Sequence, residues 1–188
     1  TKLGIGTVLK SAVFVVIPVL ITGGIHLDGF LDTVDALNSF QPKEKKLEIL
    51  KDPHTGAFAI IGAAVYFVLS FGVWSELNGK TIFILAIGFV LSRALSGLSI
   101  VTFKLAKNTG LAATFSDAAQ KDKVKITMFL YIIASFVLMV IIDLKLGTVC
   151  ILAALAVFIY YRKMSIKNFG GITGDLAGFF LQIAEITM

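Results

Sequence analysis

Five apolar runs, each close to the length that crosses a bilayer, decide most of what this chain can become. They fall at roughly 4–25, 57–76, 81–104, 124–142 and 148–162, and a shorter one closes the chain at 176–188. A spanning helix needs about 20 mostly apolar residues. Backbone in lipid must satisfy its own hydrogen bonds, so runs of this length are expected as α-helices. Composition agrees: 57% of the residues are hydrophobic and 15% are charged, against roughly 25% charged in a soluble domain. The expected architecture is all-α: one polytopic membrane domain over 1–188, with about five spanning helices and a short C-terminal membrane segment. The first run is too long for a signal-peptide core and is expected to stay in the membrane, with Pro18 as a tolerated kink.

Loop charges orient this bundle. The stretches 26–54, 104–125 and 162–175 carry Lys43, Lys45, Lys46, Lys51, Lys104, Lys107, Lys121, Lys123, Lys125, Arg162, Lys163 and Lys167. The opposite turns carry Lys80 and Lys145. The positive-inside rule places the three long stretches in the cytoplasm. It also accounts for the net charge of +5 without invoking nucleic acid. Cys150 lies in an apolar run and reads as a packed hydrophobe, which excludes a disulfide framework or a cysteine-based metal site.

The unusual chemistry sits on that same face. Asp28, Asp32 and Asp35 follow the first run at spacings i, i+4 and i+7. On a helix these positions share a sector of roughly 60°, and like charges so spaced destabilise it. A solvated acidic face is the plain reading. Oxygen ligands for Mg²⁺ are the sharper one, because that ion takes one or two carboxylates and leaves positions for water and phosphate. Gly170, Gly171 and Gly174 surround Ile172 and Thr173 and precede Asp175. Such a turn at a helix start reads either as a cap with Asp175 at the N-cap or as an anion cradle with Asp175 as a fourth carboxylate ligand. Asp52-Pro53-His54-Thr55-Gly56 reads as helix-start punctuation, and His26 and His54 as interfacial histidines. Their shared face with the acids raises the case for a general base or a phosphate contact. Arg93 lies inside an apolar run, where a charge is a functional hypothesis by default. It reads as an ion pair with an aspartate or as a phosphate clamp, while Glu185 is ambiguous. No P-loop, no glycine fingerprint after a strand and no HExxH is present. Together these residues fit transfer of a phosphate-linked group at the membrane surface.

Thr22-Gly23-Gly24-Ile25-His26-Leu27-Asp28-Gly29-Phe30-Leu31-Asp32-Thr33-Val34-Asp35-Ala36 resembles the signature of cobalamin synthase, the adenosylcobinamide-GDP ribazoletransferase family. Asp52-Pro53-His54-Thr55-Gly56-Ala57-Phe58, Ser92-Arg93, Gly110-Leu111 with Phe115, and Gly170 to Asp175 with Gly178 and Gln182 resemble its further motifs, in order. Members usually carry a further N-terminal membrane segment, so the chain is expected to lack it. Ala59 stands where glycine is common, Ser70 where lysine is common, and His54 where arginine is common.

The resemblance implies transfer of adenosylcobinamide phosphate from adenosylcobinamide-GDP to α-ribazole or its 5′-phosphate, with release of GMP, in vitamin B12 biosynthesis. It implies Mg²⁺ held by Asp28, Asp32, Asp35 and Asp175. His26, Asp32 and Arg93 are the catalytic candidates, and Asp52, His54, Gly171, Thr173 and Gly174 the substrate contacts. It further implies a multi-pass protein of the cell membrane with a cytoplasmic active site, and it leaves a homo-oligomer open. A CDP-alcohol-type membrane phosphotransferase is the nearest alternative, although its aspartate pattern is not reproduced. A cation transporter is the more distant one; it would place carboxylates near the midplane of the helices.

Overall fold

The computed structural model describes residues 6–188. It contains α1 (Thr7–Ile21), α2 (Ile25–Asn38), α3 (Lys43–Ile49), α4 (Ala57–Glu76), α5 (Gly79–Thr102), α6 (Leu111–Ala118), α7 (Lys121–Ile142), α8 (Leu144–Phe169) and α9 (Gly174–Thr187). Four of these, α4, α5, α7 and α8, are long and apolar enough to cross a membrane. α1 and α2 meet the same test only together, and they meet at 92°. The chain is a multi-pass membrane protein with four spans, or five if the bent pair counts as one.

Short turns join the spans in two pairs. Leu77 and Asn78 connect α4 to α5, and Asp143 connects α7 to α8. Both turns are fixed by caps: Asn78 and Thr81 form a capping box, and the Asp143 carboxylate accepts from the Lys145 and Leu146 amides at 3.1 and 3.0 Å. Both turns lie on the lysine-poor side. The lysine-rich side therefore gathers α3, α6, the C-terminal half of α2 and the start of α9.

One expectation is corrected. The expected first run to residue 25 stops at Ile21, because Gly23 and Gly24 adopt positive φ of 62° and 79°. Left-handed backbone of this kind breaks a helix cheaply at glycine. The acidic stretch is consequently helical rather than a loop. The short C-terminal segment forms the centre of the packing. α9 packs against α2, α5 and α8, and Leu176, Phe180 and Ala184 on it are fully enclosed. Phe180 meets Tyr161 at 5.1 Å and Phe158 at 5.5 Å. By contrast, α4 and α7 expose most of their apolar surface, including Val68 and Ile141, as helices facing lipid do.

Candidate active site

The site is assembled where α2 crosses α9. A Cβ on Gly29 would stand 2.7 Å from the Asp175 carbonyl oxygen, and one on Gly178 would stand 2.9 Å from that of His26. Two glycines thus let the two backbones touch, as small residues do where membrane helices approach closely. This contact brings Asp28, on the turn before Gly29, toward Asp175, on the first turn of α9. Asp32, one turn further along α2, stands in the field of Asp28, Asp175 and Asp35.

A second junction holds the other side. Ile172 donates its amide to the Lys104 carbonyl at 2.8 Å, and Ala106 donates to the Ile172 carbonyl at 2.9 Å. A Cβ on Gly171 would lie 2.5 Å from the Ala106 nitrogen. Gly170 ends α8 with φ of 79° and donates to the Ile166 carbonyl at 3.1 Å, a C-terminal glycine cap. Thr173, not Asp175, is the N-cap of α9: its hydroxyl oxygen accepts from the Leu176 amide at 3.3 Å. The three glycines of this motif therefore do different work. Gly170 stops a helix, Gly171 admits the 104–106 segment, and Gly174 opens α9.

Between these junctions lies a cleft of about 420 Å³. His26, Asp28, Thr173, Gly174 and Asp175 line it, so five of the expected site residues share one wall system. Lys51, Ser96, Lys107 and Thr109 add polar groups, and Ile100, Leu111, Phe115 and Leu181 make an apolar portion. Burial pushes the Asp175 carboxyl above its ordinary value and Asp28 adds to this, while hydrogen bonds at the helix start and Lys107 pull the other way. Burial and the neighbouring Lys51 hold the Lys107 ammonium below its ordinary value. Lys107 is anchored by donating to the Leu47 carbonyl at 3.0 Å.

The remaining expected residues are placed elsewhere. Asp35 turns its carboxylate onto Gly56, at the start of α4, where a Cβ would collide with it. The N-terminal end of a helix favours a negative charge there. Among the described residues, no three of the histidine, cysteine and acidic side chains converge on a single ion position. α2 carries Asp28 toward α9 and Asp35 toward α4, and Asp32 between them stands in the field of Asp28, Asp175 and Asp35. Arg93 does not point into the cleft. It donates to Glu185 at 2.6 Å and to the Phe89 carbonyl at 2.9 Å, and Ser92 donates to the same carboxylate oxygen at 2.9 Å. Its partner is the ambiguous Glu185 rather than an aspartate, because α9 brings that residue alongside α5. His54 and Asp52 form an exposed local turn, with the His54 amide at 2.9 Å and its Nδ1 at 2.7 Å from the Asp52 carboxylate. Neither lines the cleft.

Lys51 and Lys107 are the cleft residues that sequence reading passed over. Both were legible only as loop charges that orient the bundle, since nothing in a lysine-rich stretch distinguishes the one that folds inward.

The chain matches the family model described as cobalamin-5-phosphate synthase over residues 1–188. It belongs to the cobalamin-5-phosphate synthase family. Three relatives in this family carry the name adenosylcobinamide-GDP ribazoletransferase. The protein of Lachnoclostridium phytofermentans is 53% identical over 98% of this chain and 70% of its own length. That of Clostridium botulinum strain Alaska E43 is 37% identical over 98% and 73%, and that of Treponema denticola is 35% identical over 89% and 69%. No solved structure matches the chain. Membership in the cobalamin-5-phosphate synthase family sets aside the CDP-alcohol phosphotransferase and transporter readings, and establishes the chain as a membrane enzyme.

Proposed function

We propose that this chain transfers the adenosylcobinamide phosphate group of adenosylcobinamide-GDP to α-ribazole or its 5′-phosphate. A ribose hydroxyl oxygen forms a new bond to the phosphorus bearing the cobinamide arm. The bond from that phosphorus to the GMP oxygen breaks, GMP leaves, and the hydroxyl proton passes to a base of the protein. The observation that carries this reading is the crossing at Gly29 and Gly178, which puts Asp28 and Asp175 on one wall of a cleft that also holds Lys51 and Lys107.

Each group has a role in that step. The Lys51 and Lys107 ammoniums attract the pyrophosphate and balance the charge that grows on the departing GMP. The start of α9, at Thr173 and Gly174, lines the same space and its dipole favours an anion. His26, or one of the carboxylates, accepts the hydroxyl proton. Asp32 supports Asp28 from the next turn of α2. The apolar portion formed by Ile100, Leu111, Phe115 and Leu181 suits the flat base of the ribazole.

The donor set fits Mg²⁺. It is all oxygen, and Asp28 with Asp175, backed by Asp32, offers the one or two carboxylates that this ion takes when phosphates and water complete its shell. When bound, the ion would neutralise the pyrophosphate oxygens and favour release of GMP. Asp35, Arg93, Asp52 and His54 act at a distance in this reading, through helix packing and the loop that carries Lys51. The active site would open to the cytoplasm at the cell membrane, as the distribution of lysines implies.

The test is GMP release by purified protein in liposomes supplied with adenosylcobinamide-GDP, α-ribazole and Mg²⁺. Turnover that stops with EDTA and returns with Mg²⁺ is expected. Absence of GMP with both substrates and the ion present would overturn the assignment.

A further inference from the structure

A second polar recess lies on the lysine-rich side, away from the cleft. The C-terminal parts of α2 and α8 and one turn of α9 enclose about 530 Å³ there. Its floor is apolar, from Val34, Met164 and Phe179, and its rim carries Lys163 and Lys167. These lysines are one helical turn apart, a spacing at which like charges destabilise a helix. Both are exposed, and neither has a hydrogen bond or salt bridge among the described residues. No carboxylate lines the recess.

The surroundings are prepared for an anion. Lys46 is buried beside the recess and donates to the Asn168 amide oxygen at 3.0 Å. Asn168 lines the recess. A third cation is therefore held nearby with an amide, not a carboxylate, as its partner. Tyr160, half exposed on the same stretch of α8, lines the recess and is a ring type enriched at membrane interfaces. An apolar floor beside a pair of lysines matches a molecule with a charged head and a greasy body, in a chain that crosses the membrane.

We propose that this recess binds the phosphate headgroup of an anionic membrane phospholipid, with Lys163 and Lys167 on the phosphate and an acyl chain against Val34, Met164 and Phe179. The site is independent of the transferase reading. It would also brace α2, whose other half carries Asp28 and Asp32, against α8.

Native mass spectrometry of the detergent-purified protein, titrated with dioleoyl-phosphatidylglycerol, dioleoyl-phosphatidylcholine or inorganic phosphate, tests this. Phosphatidylglycerol is expected to bind, and K163Q/K167Q to weaken it roughly tenfold or more, since each surface lysine contributes to anionic-lipid attraction. K163R/K167R is expected to retain it. Equal phosphatidylglycerol binding by the wild type and K163Q/K167Q would overturn the proposal. So would phosphatidylcholine binding as tightly as phosphatidylglycerol, or inorganic phosphate displacing the lipid at equal concentration. Both lysines are exposed, so the substitutions leave the packed core untouched.

Discussion

The two ends of α9 present acids in opposite ways. At its C-terminal end, Glu185 is buried and answered by Arg93 and Ser92. At its N-terminal end, Asp175 sits beside Asp28 in an open cleft, and its one side-chain partner is the Thr173 hydroxyl at 3.3 Å. The first arrangement uses up its charge and ties α5 to α9. The second leaves charge unspent where a phosphate or cation can reach it. A charge within an apolar helix is thus not by itself a sign of chemistry; what matters is whether the fold has already supplied its partner.

The comparison is broken most severely by removing charge from the open end. Asp28→Asn or Asp175→Asn should lower kcat by about a hundredfold or more, with little change of Tm in detergent. GMP release and a thermal melt measured together check this. If either variant keeps full turnover with a normal Tm, the carboxylates of the cleft are spectators.

The crossing itself comes next. Gly29→Ala or Gly178→Ala must push α2 and α9 apart, which should cost about 1–3 kcal/mol and reduce turnover with stability. A melt with unchanged Tm and unchanged activity would show that the helices do not depend on that contact.

The closed end should behave as structure. Arg93→Gln leaves the Glu185 carboxylate unanswered in a buried place. Breaking a buried pair costs about 3–5 kcal/mol, and the partial exposure of Arg93 should bring this to roughly 2 kcal/mol. The KM for either substrate should stay unchanged in the protein that remains folded. A large rise in KM would instead make Arg93 a substrate contact.

The smallest effect concerns Asp52. Its hydrogen bonds from the His54 amide and ring hold its carboxyl below the ordinary value. A lowered folded value means that any stability it lends is present above the ordinary carboxylate range and is lost as pH falls through the lowered value. Asp52→Asn should therefore lower Tm slightly at pH 7, by a margin that shrinks as pH falls through the lowered value, and should leave turnover at pH 7 intact. Lost turnover would bring this exposed turn into the site.

Much of the architecture was readable along the chain, because lipid imposes its demands one residue at a time. The length of an apolar run and the short polar breaks between runs follow from local composition. The run ending at Ile21 was misjudged by a few residues, since apolarity continues past the point where Gly23 and Gly24 turn the backbone. For the site, His26, Asp28 and Asp175 were recognisable as chemistry by type and spacing. The part played by Gly171 was not, because the segment it admits lies more than sixty residues earlier in the chain.

The sequence by itself determined a helical membrane bundle and the small set of polar residues in the stretches between its apolar runs. Those properties depend on each residue's own transfer into lipid or water. Tertiary structure alone decided which charges are spent and which are free. Glu185 was ambiguous until α9 lay beside α5, Asp35 was one of three equal aspartates until α4 met it, and Lys107 was one lysine among many until it folded over the cleft. Pairing is a property of two side chains brought together by packing, and no single position in the chain encodes it.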